Sequence, residues 1–505
     1  MPLSLTGLDI VLAGCGLWLV QRILSKKPSA PLPPGPRPLP IIGNVLDLPK
    51  GQEWYTFARW GEQYGKITYI DAMGQPMMIV NDGQTAIDLL DKKSAIYSDR
   101  PVLPMASILS GWIQTLALTP YGDRFREYRK YLHRLMGTPT QLQPQLPLIE
   151  SETRVFLKRM LGKPLAVGEN IRKTTGAIIL MMAYGYKSQE ENDPLVKLVD
   201  DATDQFSVIT APGAYLVDVF PALRYVPSWF PGANFKRDAV HYYKVVNDMA
   251  DVPLQFVKKQ LAAGTAIPSF ASKLIDGQEL STTQAHNIKW SAASLYGGGA
   301  DTTVSAMYSF FLAMTLFPEV QYKAQAEIDS VIGTDRLPTF EDRSRLPYVD
   351  ALVNEVLRWG PVAPLGVPHK SSEDDIHDGY FIPKGSLILV NIWKLLHDPE
   401  TYAQPLEFLP ERYLPTDGKA PEQDPRKYCF GFGRRICPGL NLADASVWIS
   451  CAMALTVFDV SKTIENGVPV VPKFKYTDGT ISHPEPFKCT IKPRSAKAEE
   501  LIRAI

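Results

Sequence analysis

The chain has 505 residues, and its 53 basic and 53 acidic side chains give a formal net charge of zero. This balance excludes a global field that would attract nucleic acid, so any electrostatic partner must recognise a local patch. The five cysteines include no C-x-x-C pair, which argues against a disulfide scaffold or a structural zinc site and favours a reducing, cytosol-facing location. No low-complexity linker interrupts the sequence after the N-terminal segment, which indicates one large unit.

The first segment of the chain is mostly apolar. Residues 1–24 are about long enough to span a bilayer, and no obvious cleavage site follows, which favours an uncleaved transmembrane anchor over a removed signal peptide. Lys26 and Lys27 would keep the following chain on the cytoplasmic side. Residues 25–40 are rich in proline, which blocks helix formation, so they are predicted to form a stiff extended hinge.

The body of the chain, residues 41–505, predicts a mostly α-helical domain with a smaller β-rich part. Residues 66–81 alternate apolar and polar side chains, which is typical of a β-hairpin. Residues 380–392 have strand character, and the last forty residues indicate short strands. Between them, long amphipathic segments indicate helices, for example 150–161, 236–260 and 318–332.

A long apolar helix is predicted from Ser291 to Phe317, yet it contains three consecutive glycines, residues 297–299. Each interior glycine costs about 1 kcal/mol relative to alanine, so the triplet needs a compensating reason. That reason is either a groove for a cofactor, dioxygen or substrate, or close packing against another helix. Asp301 and Thr302 follow the glycines. The hydroxyl can bond back to a carbonyl and open the helix, and the acid could relay protons.

Two further patterns combine acids and bases. Glu355 and Arg358 lie three residues apart on one helical face, a spacing that is most often found on a solvated surface. Arg412 follows within the run Phe-Leu-Pro-Glu-Arg-Tyr at 408–413.

Residues 430–439 read Phe-Gly-Phe-Gly-Arg-Arg-Ile-Cys-Pro-Gly, and they precede a predicted helix at 440–457. A thiolate such as that of Cys437 is a strong ligand for iron, and nearby backbone N–H groups can stabilise its charge. Arg435 can pair with a carboxylate. The alternative interpretation is a buried structural cysteine in a Gly/Pro turn.

The pattern F-x-x-G-x-R-x-C-x-G at 430–439 resembles the haem-binding loop of cytochrome P450 monooxygenases, with every defining position present. The resemblance covers residues 30–505 and rests on four motifs in the family's order. It implies the cytochrome P450 fold, haem b as cofactor, Cys437 as the iron ligand, and Phe430 and Gly439 beside the haem.

The same resemblance gives roles to other motifs. Residues 298–302 are similar to the family's oxygen-activation motif, which implies catalytic roles for Asp301 and Thr302. Glu355, Arg358 and Arg412 resemble the family's buried Glu-Arg-Arg triad, which is structural rather than catalytic.

Several basic residues match the family's haem-propionate partners. In the pattern W-x-x-x-R, this chain has Phe125 where tryptophan is usual, and Arg129 matches the propionate arginine. Phenylalanine has no N–H donor, so one propionate hydrogen bond is expected to be missing. Arg100, His369 and Arg435 resemble the other partners, although Arg100 or His369 taken alone could be a surface cation.

The family also implies partners and a location. Electrons would come from an NADPH-dependent reductase carrying FAD and FMN, because the sequence shows no dinucleotide-binding fingerprint. The basic helix from residue 121 to 134, with Arg426, Lys427 and Arg434, would form its docking patch. The resemblance further implies a single-pass protein of the endoplasmic reticulum membrane with a cytosolic catalytic domain. The aromatic segment 220–231 would dip into that membrane or form an ordinary packed loop.

The substrate is expected to be a small hydrophobic molecule, by analogy with fungal members that oxidise terpenoid, polyketide or indole-type secondary metabolites. Two other functions stay open: a reductase-independent haem-thiolate isomerase or dehydratase, and a non-catalytic haem protein. The predicted lining comes from five mainly apolar regions, namely 102–118, 206–212, 293–298, 362–367 and 479–482.

Overall fold

The structure is a computed structural model that describes residues 29–211, 213–415, 418 and 420–505. The predicted anchor, residues 1–24, lies outside the described residues, as does Pro212 of the predicted substrate lining.

The described chain is mostly helical. Its α-helices, in chain order, are α1 Glu53–Tyr64, α2 Gly83–Ile87, α3 Ser94–Tyr97, α4 Asp123–Met136, α5 Pro139–Leu142, α6 Leu146–Gly162, α7 Val167–Tyr184, α8 Pro194–Ile209, α9 Leu216–Val219, α10 Asn234–Ala262, α11 Phe270–Ile275, α12 Thr282–Ala300, α13 Thr302–Leu316, α14 Pro318–Val331, α15 Pro347–Trp359, α16 Ile392–Leu396, α17 Arg426–Cys429, α18 Leu440–Val457 and α19 Ala496–Arg503.

The strands form one four-stranded sheet and three two-stranded pairs. The sheet has the order β1-β2-β6-β3, and the pairs are β4–β5, β7–β10 and β8–β9. β1 and β2 pair antiparallel, which confirms the hairpin predicted at 66–81, whereas β2 and β6 pair parallel. The strands are β1 Ile67–Ala72, β2 Gln75–Val80, β3 His369–Lys370, β4 Asp375–His377, β5 Tyr380–Ile382, β6 Leu387–Val390, β7 Phe458–Lys462, β8 Ile464–Glu465, β9 Val468–Pro469 and β10 Cys489–Pro493.

The helical core surrounds α13 and α18, which bury side chains on almost every face. A helix that is apolar all round belongs in the interior of a large domain. Among the described residues, α18 is the one single helix long and apolar enough to cross a membrane, with a mean hydropathy of 1.4. Because 78% of it is buried inside the protein, α18 is a core helix.

The described part of the predicted hinge is hydrogen-bonded to the domain. The N–H of Tyr69 donates to the carbonyl of Pro34 at 3.0 Å, and that of Phe381 donates to the carbonyl of Pro31 at 2.8 Å. Gly35 approaches the chain so closely that a Cβ there would lie 1.9 Å from the carbonyl oxygen of Tyr69. Residues 31–35 therefore lie along the strands rather than standing free.

Three predicted boundaries differ from the structure. The glycine-bearing helix begins at Thr282, where Ser281 and Gln284 form a capping box, and it is interrupted at Asp301. The strand segment at 380–392 is divided into β5 and β6 by a turn. The last forty residues end in helix α19, where the Ser495 side chain accepts the N–H of Ala498.

Candidate functional site

The cysteine loop is a turn that closes on itself just before α18. The N–H of Cys437 donates to the carbonyl of Phe430 at 2.8 Å. Gly439 precedes the first residue of α18, and a Cβ at this position would lie 3.7 Å from the Sγ of Cys437. Phe430 and Gly439 therefore both lie close to Cys437 in this loop; their predicted place beside the haem stays a prediction.

Gly433 is required by the backbone of this loop. Its φ is +52°, a backbone conformation that residues other than glycine rarely adopt. A Cβ there would lie 2.1 Å from the carbonyl oxygen of Leu90. The N–H of Gly433 donates to a carboxylate oxygen of Asp91. These contacts anchor the loop to the segment that follows α2.

The electrostatic surroundings of Cys437 act in two directions. Burial raises the pKa of its thiol, while the backbone N–H of Gly439 and the charge of Arg129 lower it. The side chain is nevertheless accessible. A group that is surrounded by protein and still accessible faces an internal opening. The hydrogen bond from Gly439 and the charge of Arg129 both favour the thiolate form and would support a metal ion bound to the sulfur.

Arg435, Arg100 and His369 form a buried basic cluster beside the loop. Arg435 donates to the carbonyls of Ser98 at 2.7 Å and Thr119 at 2.8 Å. Burial, reinforced by the charges of both arginines, holds the pKa of His369 well below its usual range, so its ring is neutral. Burial also lowers the pKa of Arg435 to about 10 and that of Arg100 well below its usual range.

Carbonyl oxygens, rather than carboxylates, surround these arginines. Arg100 donates to the carbonyls of Ala117 and Pro368 at 3.0 and 2.8 Å, and Arg129 donates to that of Ile436 at 2.5 Å. Within the described residues, Arg100, Arg129 and Arg435 form no ion pair with a carboxylate. Buried cations without an anion are costly, so this arrangement calls for an anionic ligand.

Phe125 takes part in the cluster through its ring. It is buried on α4, and the guanidinium carbon of Arg435 lies 3.9 Å from the ring centre. This contact is a cation–π interaction. The contact holds the Arg435 guanidinium against α4, but it does not replace the N–H donor that a tryptophan would offer to a propionate.

These residues fit a haem. The accessible thiol offers an iron ligand, and the unpaired cluster of Arg100, Arg129 and Arg435 offers partners for two propionates. The neutral His369 keeps its Nδ1 bonded to the carbonyl of Tyr97 at 2.7 Å. Its other nitrogen has no hydrogen-bond partner among the described residues.

The three glycines of α12 have different surroundings. A Cβ at Gly298 would meet nothing within 4 Å, whereas one at Gly299 would lie 2.4 Å from the side chain of Ile179 on α7. Gly299 therefore permits close helix packing. Gly298 leaves the backbone of α12 facing open space, and this space is called the groove below. Close helix packing is thus confirmed at Gly299, whereas a groove for a cofactor, dioxygen or substrate at Gly298 stays a prediction that the open space there allows.

Asp301 interrupts the helix, and Thr302 stabilises the interruption. The Thr302 hydroxyl donates to the carbonyl of Gly298 at 2.8 Å, which is the back-bond that the sequence predicted. Thr303 is directed elsewhere: it lines a small internal space with Phe156 and Met307. Thr302 is thus the threonine beside the groove at Gly298.

The carboxylate of Asp301 is held by side chains from two other parts of the chain. Its Oδ1 accepts from Arg172 at 2.9 Å, and its Oδ2 lies 3.0 Å from Nε2 of His483. Burial alone would raise the pKa of Asp301, but the hydrogen bonds and charges of His483 and Arg172 outweigh it and lower that pKa.

The sequence predicted a role for Asp301 but missed both partners. His483 directly follows the predicted lining region 479–482, so an imidazole next to that region was the available signal; nothing in the sequence marked Arg172.

The five regions predicted to line a substrate pocket are linked by contacts. The Trp112 and Phe206 rings are 4.8 Å apart, and the Leu116 N–H donates to Ser294 at 2.9 Å. The Ser482 N–H donates to the carbonyl of Val362 at 2.8 Å. The hydroxyls of Thr210 and Thr480, on the second and fifth regions, lie 2.7 Å apart.

The Glu355, Arg358 and Arg412 side chains form the buried triad predicted from the sequence. Arg358 donates to both carboxylate oxygens of Glu355 at 2.7 Å, and Arg412 donates to Oε1 at 3.2 Å. Arg358 also donates to the carbonyls of Leu396 and Pro405. The triad therefore fastens α15 to the segment that leads into the cysteine loop.

Comparison with known proteins agrees with this site. The family model "Cytochrome P450" matches residues 33–491. Cytochrome P450 monooxygenase 208 of Postia placenta is 55% identical over 94% of this chain and 93% of its own length. Cytochrome P450 monooxygenase claR of Ampulloclitocybe clavipes is 49% identical over 100% of this chain and 94% of its own. O-methylsterigmatocystin oxidoreductase of Aspergillus flavus is 42% identical over 98% of this chain and 94% of its own.

Proposed function

The chain belongs to the cytochrome P450 family and is a monooxygenase, and on this premise we propose that it inserts one oxygen atom from O2 into a hydrophobic organic substrate, with Cys437 as the protein ligand of a haem b. The observation that carries the proposal is the accessible Cys437 thiol beside a buried basic cluster that has no anionic partner. When bound, haem supplies the iron centre for dioxygen chemistry.

The protein's own residues have separate tasks in this mechanism. The N–H of Gly439 and the charge of Arg129 stabilise negative charge on the Cys437 sulfur. Arg100 and Arg435 hold propionates. On α13, away from the cysteine loop, Thr302 holds a water or a proton at Oγ1 next to the open groove of α12.

The electron donor is an external reductase that uses NADPH, FAD and FMN. An exposed basic surface beside the cysteine loop supports its docking, because acidic partners are steered by such surfaces. Arg426 contributes less than expected: it is ion-paired with Asp424 and Asp444. The exposed members of this surface are Arg126, Lys130, His133, Arg134, Lys427 and Arg434, of which Arg126 is ion-paired with Asp123.

The protein is anchored in the endoplasmic reticulum membrane by residues 1–24, with residues 25–40 as a connecting segment and 41–505 as the cytosolic catalytic domain. Exposed apolar side chains around α9 support a second membrane contact. Trp229 is 79% exposed, and Leu216, Tyr225 and Phe230 are exposed nearby. Amphipathic aromatic rings favour the membrane–water interface.

The substrate is a terpenoid, polyketide or indole-type secondary metabolite. The mainly apolar composition of the five lining regions supports a hydrophobic molecule. The name of one relative specifies O-methylsterigmatocystin as the compound that it oxidises.

Reconstitution with a cytochrome P450 reductase tests the proposal. Purified holoprotein, reductase and NADPH are incubated with candidate metabolites under 18O2, and products are analysed by mass spectrometry. We expect one 18O atom per product and no product without NADPH. A product that forms without reductase would favour an isomerase or dehydratase, and haem binding without any turnover would favour a non-catalytic haem protein.

A further inference from the structure

Asp301 is the innermost member of a cluster of five ionisable side chains. Arg172 on α7 bonds to Asp301 and lies 3.4 Å from Asp200 on α8. His483 bonds to the other carboxylate oxygen of Asp301, and the charge of Asp204 on α8 interacts with His483. The Asp301 side chain is 2% exposed, whereas those of His483 and Arg172 are 16% and 30% exposed. The cluster thus leads from the active-site helix to solvent.

The two partners of Asp301 differ in proton chemistry. A guanidinium stays protonated in proteins, so Arg172 can hold the carboxylate but cannot deliver a proton to it. An imidazole gains and loses a proton near neutral pH. Among the described residues bonded to the Asp301 carboxylate, His483 is therefore the one that can pass protons on.

The backbone of the turn that carries His483 is held by hydrogen bonds. The His483 N–H donates to the Thr477 hydroxyl at 3.0 Å, and the Thr477 N–H donates to the His483 carbonyl at 2.8 Å. The Ser305 hydroxyl of α13 donates to the carbonyl of Ser482 at 2.5 Å. This turn is thus held directly against the helix that begins at Thr302.

We propose that His483 is the residue through which protons from solvent reach Asp301, and the proposal rests on the monooxygenase function above. The Nε2 proton of the imidazolium moves to Oδ2 of Asp301, leaving a neutral imidazole and a neutral carboxylic acid. Asp301 then gives this proton to a water held by Thr302 and becomes a carboxylate again. Water reprotonates the imidazole, so each cycle transfers one proton from solvent to the groove.

Because the pKa of Asp301 is lowered, proton transfer from the imidazolium to this carboxylate is uphill; the neutral acid is a transient species that passes its proton on rather than retaining it. A purely structural cluster is the competing interpretation. In that case the interaction between His483 and Asp301 would only join the turn to α13, and replacing the imidazole would not change how turnover depends on pH.

The test uses the full-length holoenzyme with reductase and the variant His483→Gln, which keeps an N–H donor but cannot titrate. We expect the thiolate-type carbon-monoxide spectrum and NADPH consumption to persist. Product per NADPH should fall several-fold while peroxide rises. In the wild type, the ratio of product to NADPH should fall as the pH is raised from 6 to 8. In the variant, this ratio should not vary with pH. Lys475→Gln, which removes an exposed ion pair in the same turn, should behave like the wild type.

Two additional measurements check the premises of this test, while the pH profile of coupling separates the proton route from the structural interpretation. Asp200, whose pKa burial raises to about 6, titrates in the same range, so the pH profiles are repeated in an Asp200→Asn background. The difference in unfolding temperature between wild type and His483→Gln should be larger at pH 6 than at pH 8, because the ion pair with Asp301 exists only when the ring is protonated. Equal differences would overturn the proposal.

The outcomes distinguish this proposal from the proposed function. A wild type that forms no oxygenated product overturns both. A wild type that forms product while His483→Gln matches its coupling and pH profile overturns only the proton route through His483. If His483→Gln fails to bind haem, the wild type alone decides: a product-to-NADPH ratio that is constant from pH 6 to pH 8 rejects the route.

Discussion

The guanidinium of Arg435 stacks on the ring of Phe125, with its carbon 3.9 Å from the ring centre. The two residues lie on different elements, the cysteine loop and α4, so this contact joins the loop that carries Cys437 to the helix that carries Arg129. An aromatic face, rather than an indole N–H, is the property that this position supplies.

Replacing Phe125 tests this role. Phe125→Leu keeps most of the volume but removes the ring, and should cost about 0.5–2 kcal/mol of cation–π energy. We expect a lower unfolding temperature and a smaller haem-loaded fraction, measured by the ratio of Soret to protein absorbance. Phe125→Trp keeps an aromatic face and should stay close to the wild type. Equal haem loading in the leucine and tryptophan variants would contradict the prediction.

The iron ligand is tested by Cys437→Ala. We expect loss of activity and of stable haem binding, because Cys437 is the one exposed cysteine among the described residues, and it lies beside the basic residues that would hold the propionates. The ferrous carbon-monoxide complex of the wild type should show the red-shifted Soret band of thiolate ligation. Cys429→Ala is the matched control. Its buried thiol has a raised pKa, and this variant should keep the band. Retention of the band in Cys437→Ala would reject the assignment.

The triad is tested by Glu355→Ala. All three side chains are buried, and removing the carboxylate leaves Arg358 without its counter-charge, although Arg412 keeps its ion pair with Glu422; the loss should cost about 3–5 kcal/mol. We expect little folded holoprotein, measured as the yield of haem-loaded protein. Glu499→Ala removes one partner of an exposed pair with Arg503 and should change stability by less than about 1 kcal/mol. A fully haem-loaded Glu355→Ala protein would show that the triad does not stabilise the fold.

The sequence predicted most of this architecture because local patterns carry it. Alternation of side chains sufficed for the β1–β2 hairpin, and the spacing of motifs placed Cys437, Glu355 and Arg412. The partners of Asp301 could not be predicted in the same way. Arg172 and His483 are 129 and 182 residues away from it, and only tertiary packing brings them to one carboxylate.

The glycine triplet shows the same limit at shorter range. Sequence spacing indicated that residues 297–299 need a close neighbour or an open groove, but it could not assign these reasons to individual positions. That assignment depends on Ile179, which packs against Gly299 from another helix. The structure therefore adds to the sequence the knowledge of which side chain from another helix packs against each glycine.

Asp301→Asn tests the acid side of the cluster. Because the pKa of Asp301 in the folded protein is below its unfolded value of about 3.9, its ion pair with Arg172 stabilises the fold fully above that pH. The stabilisation is lost as the pH falls through the folded pKa. The unfolding temperature of Asp301→Asn should lie below that of the wild type at pH 7, and the gap should narrow toward pH 3.5. A gap that widens on acidification would contradict the lowered pKa.

Thr302→Ala tests proton delivery at the groove. The Thr302 hydroxyl bonds to the Gly298 carbonyl beside the open stretch of α12, so it is placed to hold the last water before the substrate. The variant should still bind haem and substrate and still consume NADPH, but release peroxide in place of oxygenated product.

Thr302→Ser keeps the hydroxyl and should retain most of the product. Thr303→Ala should retain coupling as well, because Thr303 faces Phe156 and Met307 rather than the groove. NADPH consumed, peroxide formed and product formed are measured in one reaction. Unchanged coupling in Thr302→Ala would mean that protons reach the groove by another group or from the substrate's own hydroxyl.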